Sequence, residues 1–155
     1  AWRGDFPENV IIMQWHYKDG RDYWQLIKTS ENPAVEAAVS GHKAIVAPFS
    51  HLYFDSQQSS LKDVYFFEPV PNELKDEASK NFILGPHACV WNQPSDDVFS
   101  KSFPRFYALS QIAWSCDPKK DFPDFEKRVN AHEIIASIVT DGALKTTRVI
   151  GGRTP

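Results

Sequence analysis

The stretch Asn81–Gln93, NFILGPHACVWNQ, decides the fold, together with the helix-forming run FPRFYALSQIAWS at Phe103–Ser115. It opens on a short apolar run, Phe82-Ile83-Leu84, which reads as a fully buried strand. Gly85-Pro86 bends the chain, Ala88-Cys89-Val90 continues it, and the strand is predicted to cover Phe82–Val90. Trp91 then meets a polar pair, Asn92-Gln93. An aromatic and an amide at the end of an apolar strand suit a sugar. The ring face stacks on C–H groups and the amide takes a hydroxyl. A lone Trp of this kind is more often ordinary core, so the weight falls on the rest of the chain.

Two earlier segments repeat the pattern. Val10–Met13 is a β-branched apolar run, hence a buried strand of the parallel type, with Gln14-Trp15-His16-Tyr17 at its C-terminal end. Lys43–Ala47 is the next strand. Pro48 ends it, and the following loop carries His51, Tyr53 and Asp55. Between them lie a polar loop (Lys18–Asp22), a short amphipathic piece (Tyr23–Lys28) and a helix over Ala34–Val39. Asn32 is placed to cap that helix, Pro33 to open it and Gly41 to close it.

Ser56–Lys80 carries few periodic signals; Pro69–Asn72 reads as extended chain before a short helix at Glu73–Ser79. After the third strand a helix is predicted at about Pro104–Trp114, with Phe106, Leu109, Ile112 and Ala113 on one face. A turn at Asp117–Phe122 leads to a second helix, with Pro123 in its first turn and its end at about Val139. Its predicted buried face is Phe125, Val129, His132, Ala136 and Val139. Residues 1–141 read as one domain and 142–155 as a loose tail.

Strand, helix, strand, long connection, strand, helix is an α/β pattern with parallel strands. Sites in such folds form at the C-terminal ends of the strands. Trp2, Trp15, Tyr53, Asp55, Trp91 and Gln93 are therefore predicted to share one rim and to bind carbohydrate.

Composition fits this reading. The 155 residues are 42% hydrophobic and 24% charged, which argues for a globular protein. The net charge of −3 is scattered, so no basic stripe suggests nucleic acid. No apolar run approaches a membrane span and no signal peptide is visible. Five Trp and 14% aromatic residues suit stacking on sugars. Cys89 and Cys116 lack metal spacing; Cys89 reads as a small core residue, with a bond between the two left open. His87 has no second His at ligand spacing, so no metal is expected. His16 and His51 lie near the rim, and His132 reads as a core histidine. The start, Ala-Trp-Arg-Gly, reads as cut from something longer.

An ordered series of short motifs then carries a resemblance. It runs Trp2, Gln14-Trp15, Gly41–Ile45, Tyr53-Phe54-Asp55, Val64–Pro69, Ile83–Trp91, Phe103–Arg105, Ala108–Ser115 and Phe125–Arg128. In order and spacing it resembles the second half of the catalytic barrel of family 20 glycoside hydrolases, the β-N-acetylhexosaminidases, over roughly residues 2–139. The resemblance implies a partial TIM barrel, from about strands five/six to eight with their helices. It implies removal of terminal N-acetyl-β-hexosamine residues from glycans by a retaining, substrate-assisted route, in which the sugar's own acetamido oxygen attacks the anomeric carbon. Trp2, Trp15 and Trp91 would wall the pocket. Tyr53 would orient the acetamido oxygen and so act in catalysis, while Asp55 and Gln93 would hold ring hydroxyls. No cofactor is implied. The family's orienting carboxylate and general acid, an Asp-Glu pair after strand four, would lie upstream of Ala1.

The chain also departs from the family. Gln93 stands where a Glu is usual, Ser110-Gln111 where Ala-Glu is frequent, and Ser56–Val64 lacks a pocket Trp. Asp76-Glu77 reads as part of a solvated helix rather than as the acid pair. Arg105 reads as a buried hydrogen-bonding anchor. The alternative is a non-catalytic carbohydrate-binding or interaction module derived from the barrel. A partial barrel leaves open strand edges. They predict a twofold homodimer or a need for the missing half-barrel, unless Thr146–Ile150 folds back as an edge strand. The compartment is left open; family members are often secreted, periplasmic or lysosomal.

Overall fold

The computed structural model describes residues 6–15, 32–56, 59–115 and 119–139. In chain order the elements are β1 (Ile11–Gln14), α1 (Pro33–Val39), β2 (Lys43–Val46), α2 (Phe49–Leu52), a 3-10 turn (Phe54–Ser56), α3 (Leu61–Phe66), α4 (Glu77–Lys80), β3 (Ile83–Pro86), α5 (Ser95–Ser102), α6 (Arg105–Trp114) and α7 (Phe122–Val139). The chain divides into two compact units, Ala1–Tyr53 with Glu68–Ala88, and Phe54–Phe67 with Cys89–Pro155. Tyr23–Lys28, Trp2, His16, Cys116 and the tail fall outside the described residues.

The first unit is built on a parallel three-stranded sheet in the order β1-β2-β3. Helix α1 packs on β1 and β2 through Ala34, Ala37 and Ala38, all buried. Its ends follow the local signals. The Asn32 side chain accepts from the Ala34 amide at 3.2 Å, Pro33 opens the helix, and Gly41 takes φ +81°, a conformation that glycine adopts without a Cβ penalty. The sheet buries one alternating set, Gln14, Ala44 and Val46. On β1 the other set is open: Ile11 is 51% and Met13 46% exposed. The expected burial of Val10–Met13 on both faces is therefore corrected. A continuous apolar run is buried twice only where both sheet faces are covered.

Strand β3 ends at Pro86, short of the predicted Val90. Gly85 sits at φ +130°, and Pro86 has no N–H to donate to the ladder. Ala44 pairs with Ile83 and Ile45 with Gly85, so Leu84 has no partner across β2 and is half exposed. The His87 amide still reaches the Val46 carbonyl at 2.9 Å. The helix expected at Glu73–Ser79 is confined to α4, because Asp76 caps it by accepting from the Ser79 amide at 2.7 Å. Leu74, just upstream, is buried in a turn closed by its amide on the Pro71 carbonyl at 3.1 Å. The Asp76 carboxyl is held below its usual 3.8, chiefly by the Ser79 backbone hydrogen bond, and Glu77 pairs with Lys80 at 2.6 Å. Asp76-Glu77 is thus a solvated helix start.

The second unit is helical and aromatic. Helix α3, absent from the sequence reading, begins with a reciprocal cap. Ser60 Oγ accepts from the Asp63 amide at 3.1 Å and Asp63 Oδ2 accepts from the Ser60 amide at 2.8 Å. Helix α5, also unforeseen, begins after Pro94. Helices α3 and α6 pack together, and Tyr65 of α3 stacks on Phe125 of α7 at 4.5 Å and meets Phe122 edge-on at 5.5 Å. Phe54 meets Phe106 edge-on at 5.4 Å, and Phe103 meets both Phe106 and Tyr107.

The predicted helix faces are only partly right. On α6 the buried residues are Arg105 and Ala108. Phe106, Leu109 and Ile112 are half-buried and Ala113 is exposed. On α7 Phe125 and Val129 are buried, Ala136 is half-buried, and His132 and Val139 are exposed. His132 is not a core histidine; its ring lies against Tyr107 at 5.7 Å. The ring contacts of α7 described above fall on Phe122, Phe125 and His132, and beyond them the helix leaves Ile134, Ile135 and Ile138 exposed. No described helix is long and apolar enough to cross a membrane.

Candidate functional site

In the first unit Trp15 follows directly on β1, at its C-terminal end as expected. The Ala47 amide donates to the Gln14 carbonyl at 2.7 Å and the Phe49 amide to the Trp15 carbonyl at 3.1 Å. These bonds continue the β1–β2 pairing past the end of the sheet and fix where α2 starts. Phe49 then lies against Tyr53, with ring centroids 5.0 Å apart. Trp15 and Tyr53 are thereby linked through Phe49. Tyr53 is separated from β2 by the helical turn α2, so it does not stand at a strand end. His51 Nδ1 bonds the Ser50 hydroxyl at 2.9 Å.

In the second unit Asp55 lies in the 3-10 turn after a buried Phe54. The Phe54 amide donates to the Cys89 carbonyl at 2.9 Å, which ties this turn to the segment that leads to Trp91. Cys89 is buried, in keeping with a core role. Trp91 is 58% exposed. Asn92 adopts φ 50°, a left-handed conformation that Asn tolerates better than most residues, and it turns the chain back so that Gln93 Nε2 donates to the Trp91 carbonyl at 2.8 Å. Gln93 Oε1 in turn accepts from the Lys101 ammonium. One Asp55 carboxylate oxygen, Oδ1, is buried without a hydrogen-bond partner.

Arg105 lies beneath this group. Its Nη2 donates to the carbonyls of Phe54 and Lys101, and its Nη1 to the Ser59 carbonyl at 3.2 Å. The guanidinium also covers the Phe54 ring, 4.6 Å from the centroid. Burial pulls its pKa down to about 10, against the opposing pull of the Asp55 charge, so at neutral pH it remains a cation. Arg105 is thus the anchor that its residue type suggested. Lys101 was not anticipated. It sits on α5, a helix without a side-chain cap, and only the fold brings it to Gln93.

A cleft of about 330 Å³ between α6 and α7, lined by Tyr107, Gln111, Trp114, Arg128 and His132 among others, contains none of the predicted sugar-site residues. Among the described residues no cluster of His, Cys, Asp and Glu could hold a metal ion.

The model of the glycosyl hydrolase family 20 catalytic domain matches residues 3–117. The chain belongs to glycosyl hydrolase family 20. A β-hexosaminidase of Porphyromonas gingivalis is 26% identical in an alignment of 144 residues that covers 82% of this chain and 17% of that protein. A β-N-acetylhexosaminidase of Cellulomonas fimi is 28% identical in an alignment of 126 residues that covers 71% of this chain and 25% of that protein. Among solved family 20 structures, the exo-β-N-acetylglucosaminidase of Vibrio harveyi in complex with N-acetylglucosamine superposes with a TM-score of 0.66 at 18% identity, covering 85% of this chain and 21% of that one. A β-N-acetylhexosaminidase crystal structure gives 0.72 at 16% identity, covering 98% and 34%. The parallel α/β fold therefore matches family 20 TIM-barrel proteins, and the chain spans 17% to 34% of the length of these relatives. The family 20 resemblance drawn from the ordered motifs is confirmed at this level.

Proposed function

We propose that this chain supplies the sugar-binding part of a family 20 catalytic barrel, from about strands five/six to eight, in an enzyme that removes terminal N-acetyl-β-hexosamine residues. The observation that carries this is the family match over residues 3–117, which includes Trp15, Tyr53, Asp55, Trp91 and Gln93. Trp2, Trp15 and Trp91 form the walls against the sugar. Tyr53 donates to the acetamido oxygen and aims it at the anomeric carbon. Asp55 and Gln93 hold ring hydroxyls. The reaction is retaining, with the acetamido group as nucleophile in place of a second carboxylate. The leaving oxygen needs a proton from a carboxylic acid, which a part of the barrel outside this chain provides.

A second reading has its own support. The Gln93 amide is neutral, and both of its ends already bond within the protein, to Lys101 and to Trp91. That favours a carbohydrate-binding module without turnover for the chain taken alone.

Partners follow the same logic. Ile11, Met13 and Leu84 are half-exposed apolar residues on the sheet, and within that sheet β1 and β3 are the outer strands. The missing half-barrel, or a second copy of this chain as a homodimer, covers them.

The test is hydrolysis of 4-nitrophenyl N-acetyl-β-glucosaminide. A complete catalytic domain that contains this chain should turn it over, and the 155-residue chain alone should not. Turnover by the rigorously purified chain would overturn the division of labour. A complete domain without activity, but with sugar binding, would select the second reading.

A further inference from the structure

Asp55 and the Trp91–Gln93 turn lie on separate stretches of the second unit, and the contacts around Asp55 and Gln93 lead back to residues 101–105. The guanidinium of Arg105 takes the Phe54 carbonyl on one side of Asp55 and the Ser59 carbonyl on the other. The same group takes the Lys101 carbonyl, and the Lys101 ammonium holds Gln93 Oε1. Phe54 is fixed at its other end by its amide on the Cys89 carbonyl at 2.9 Å. A planar fork of donors can set several carbonyls in fixed relation, which a single ammonium cannot do. Its described hydrogen bonds all go to protein carbonyls and to the Ser59 hydroxyl, so Arg105 acts on a ligand only through other residues.

We infer that Arg105 is a positioning residue of the sugar site, which holds the turn carrying Asp55 so that the carboxylate meets a ring hydroxyl. The inference rests on the reading that Asp55 binds the sugar. The buried Asp55 Oδ1, which has no hydrogen-bond partner, supports it, because an acceptor of this kind is open to a donor brought by a ligand. The proximity of the two side chains adds to this, since the Asp55 charge acts on the Arg105 guanidinium.

Three variants of the 155-residue chain test it: Arg105→Lys, Asp55→Asn and the double variant. Trp fluorescence titration with N-acetylglucosamine gives the affinity, and amide hydrogen exchange reports the local structure. Arg105→Lys is expected to weaken binding about tenfold, the loss of one charge-assisted hydrogen bond's worth of order. The Phe54, Asp55 and Ser59 amides should exchange at least about tenfold faster while the sheet amides keep their protection. The double variant should bind no more weakly than Asp55→Asn alone, because Arg105 works through Asp55. A further tenfold loss in the double variant, or protection lost across the sheet as well, would reduce Arg105 to a general folding residue. If the unsubstituted chain binds no sugar, the reading of the chain alone as a sugar-binding module fails, separately from the clamp. Unchanged exchange at Phe54, Asp55 and Ser59 would then still overturn the clamp, and accelerated exchange confined to them would uphold it.

Discussion

Replacing Phe54 with Ala should remove a large part of the stability of the second unit. The side chain is fully buried, and truncating such a residue to Ala costs about 3–5 kcal/mol. Two contacts push Phe54 to the upper end of that range. Its ring meets Phe106 edge-on at 5.4 Å, a contact worth about 1 kcal/mol beyond burial. The Arg105 guanidinium lies 4.6 Å from its centroid in a desolvated setting, worth up to about 2 kcal/mol. Measured Phe-to-Ala losses already contain part of both terms, so the expected total is about 4–5 kcal/mol rather than their sum. Against a typical stability of about 5–15 kcal/mol, this is between about a third and nearly all of what holds a domain folded. Phe54→Leu keeps most of the volume but loses both ring contacts, and should cost only about 1–2 kcal/mol. Urea unfolding followed by circular dichroism reads the difference. With a slope of about 2 kcal/mol per molar, the Ala variant should lose about 2 M in midpoint and the Leu variant under about 1 M. A loss below about 2 kcal/mol for Phe54→Ala, or equal losses for both variants, would refute the reasoning, since it would mean that neither the cavity nor the ring contacts carry the energy.

In a complete barrel, Tyr53→Phe should lower kcat on the order of 10²-fold with little change in KM, because an oriented donor to the acetamido oxygen tightens as the ring forms; a change in KM alone would make Tyr53 a binding residue only. The Asp76 carboxyl is depressed in the folded state, so its capping contribution to α4 is present above the usual 3.8 and lost as pH falls through the lower folded value. The Ser79 amide shift, followed by NMR, should therefore titrate with a midpoint below 3.8, and a midpoint at or above it would remove the cap from the account. Light scattering at micromolar concentration should show self-association of the isolated chain; a clean monomer of 17.7 kDa would reject the homodimer.

What could be read from the sequence alone is what depends on neighbours along the chain. The positions of β1, β2, α1 and α7 follow from apolar runs, the Asn32-Pro33 start and Gly41, all set by steric and hydrogen-bonding rules that act within a turn or two. Family membership was legible for a related reason: ordered short motifs persist where single residue identities drift. The missed helix α3 had a local signal too, the Ser60–Asp63 cap, but it lay in a stretch without apolar periodicity. Other features were decided by tertiary structure. Which side of α6 and α7 is buried depends on what packs opposite, which is why Arg105 is buried while Ala113 is exposed. The end of β3 depends on how Gly85 and Pro86 meet β2. The setting of Asp55 and Gln93 depends on a cation from α6 and another from α5, and no pattern within any one segment records that these groups meet. The Arg105 contacts join residues 46 and 51 positions apart along the chain, and only the folded backbone brings such a donor to within about 3 Å of its acceptor.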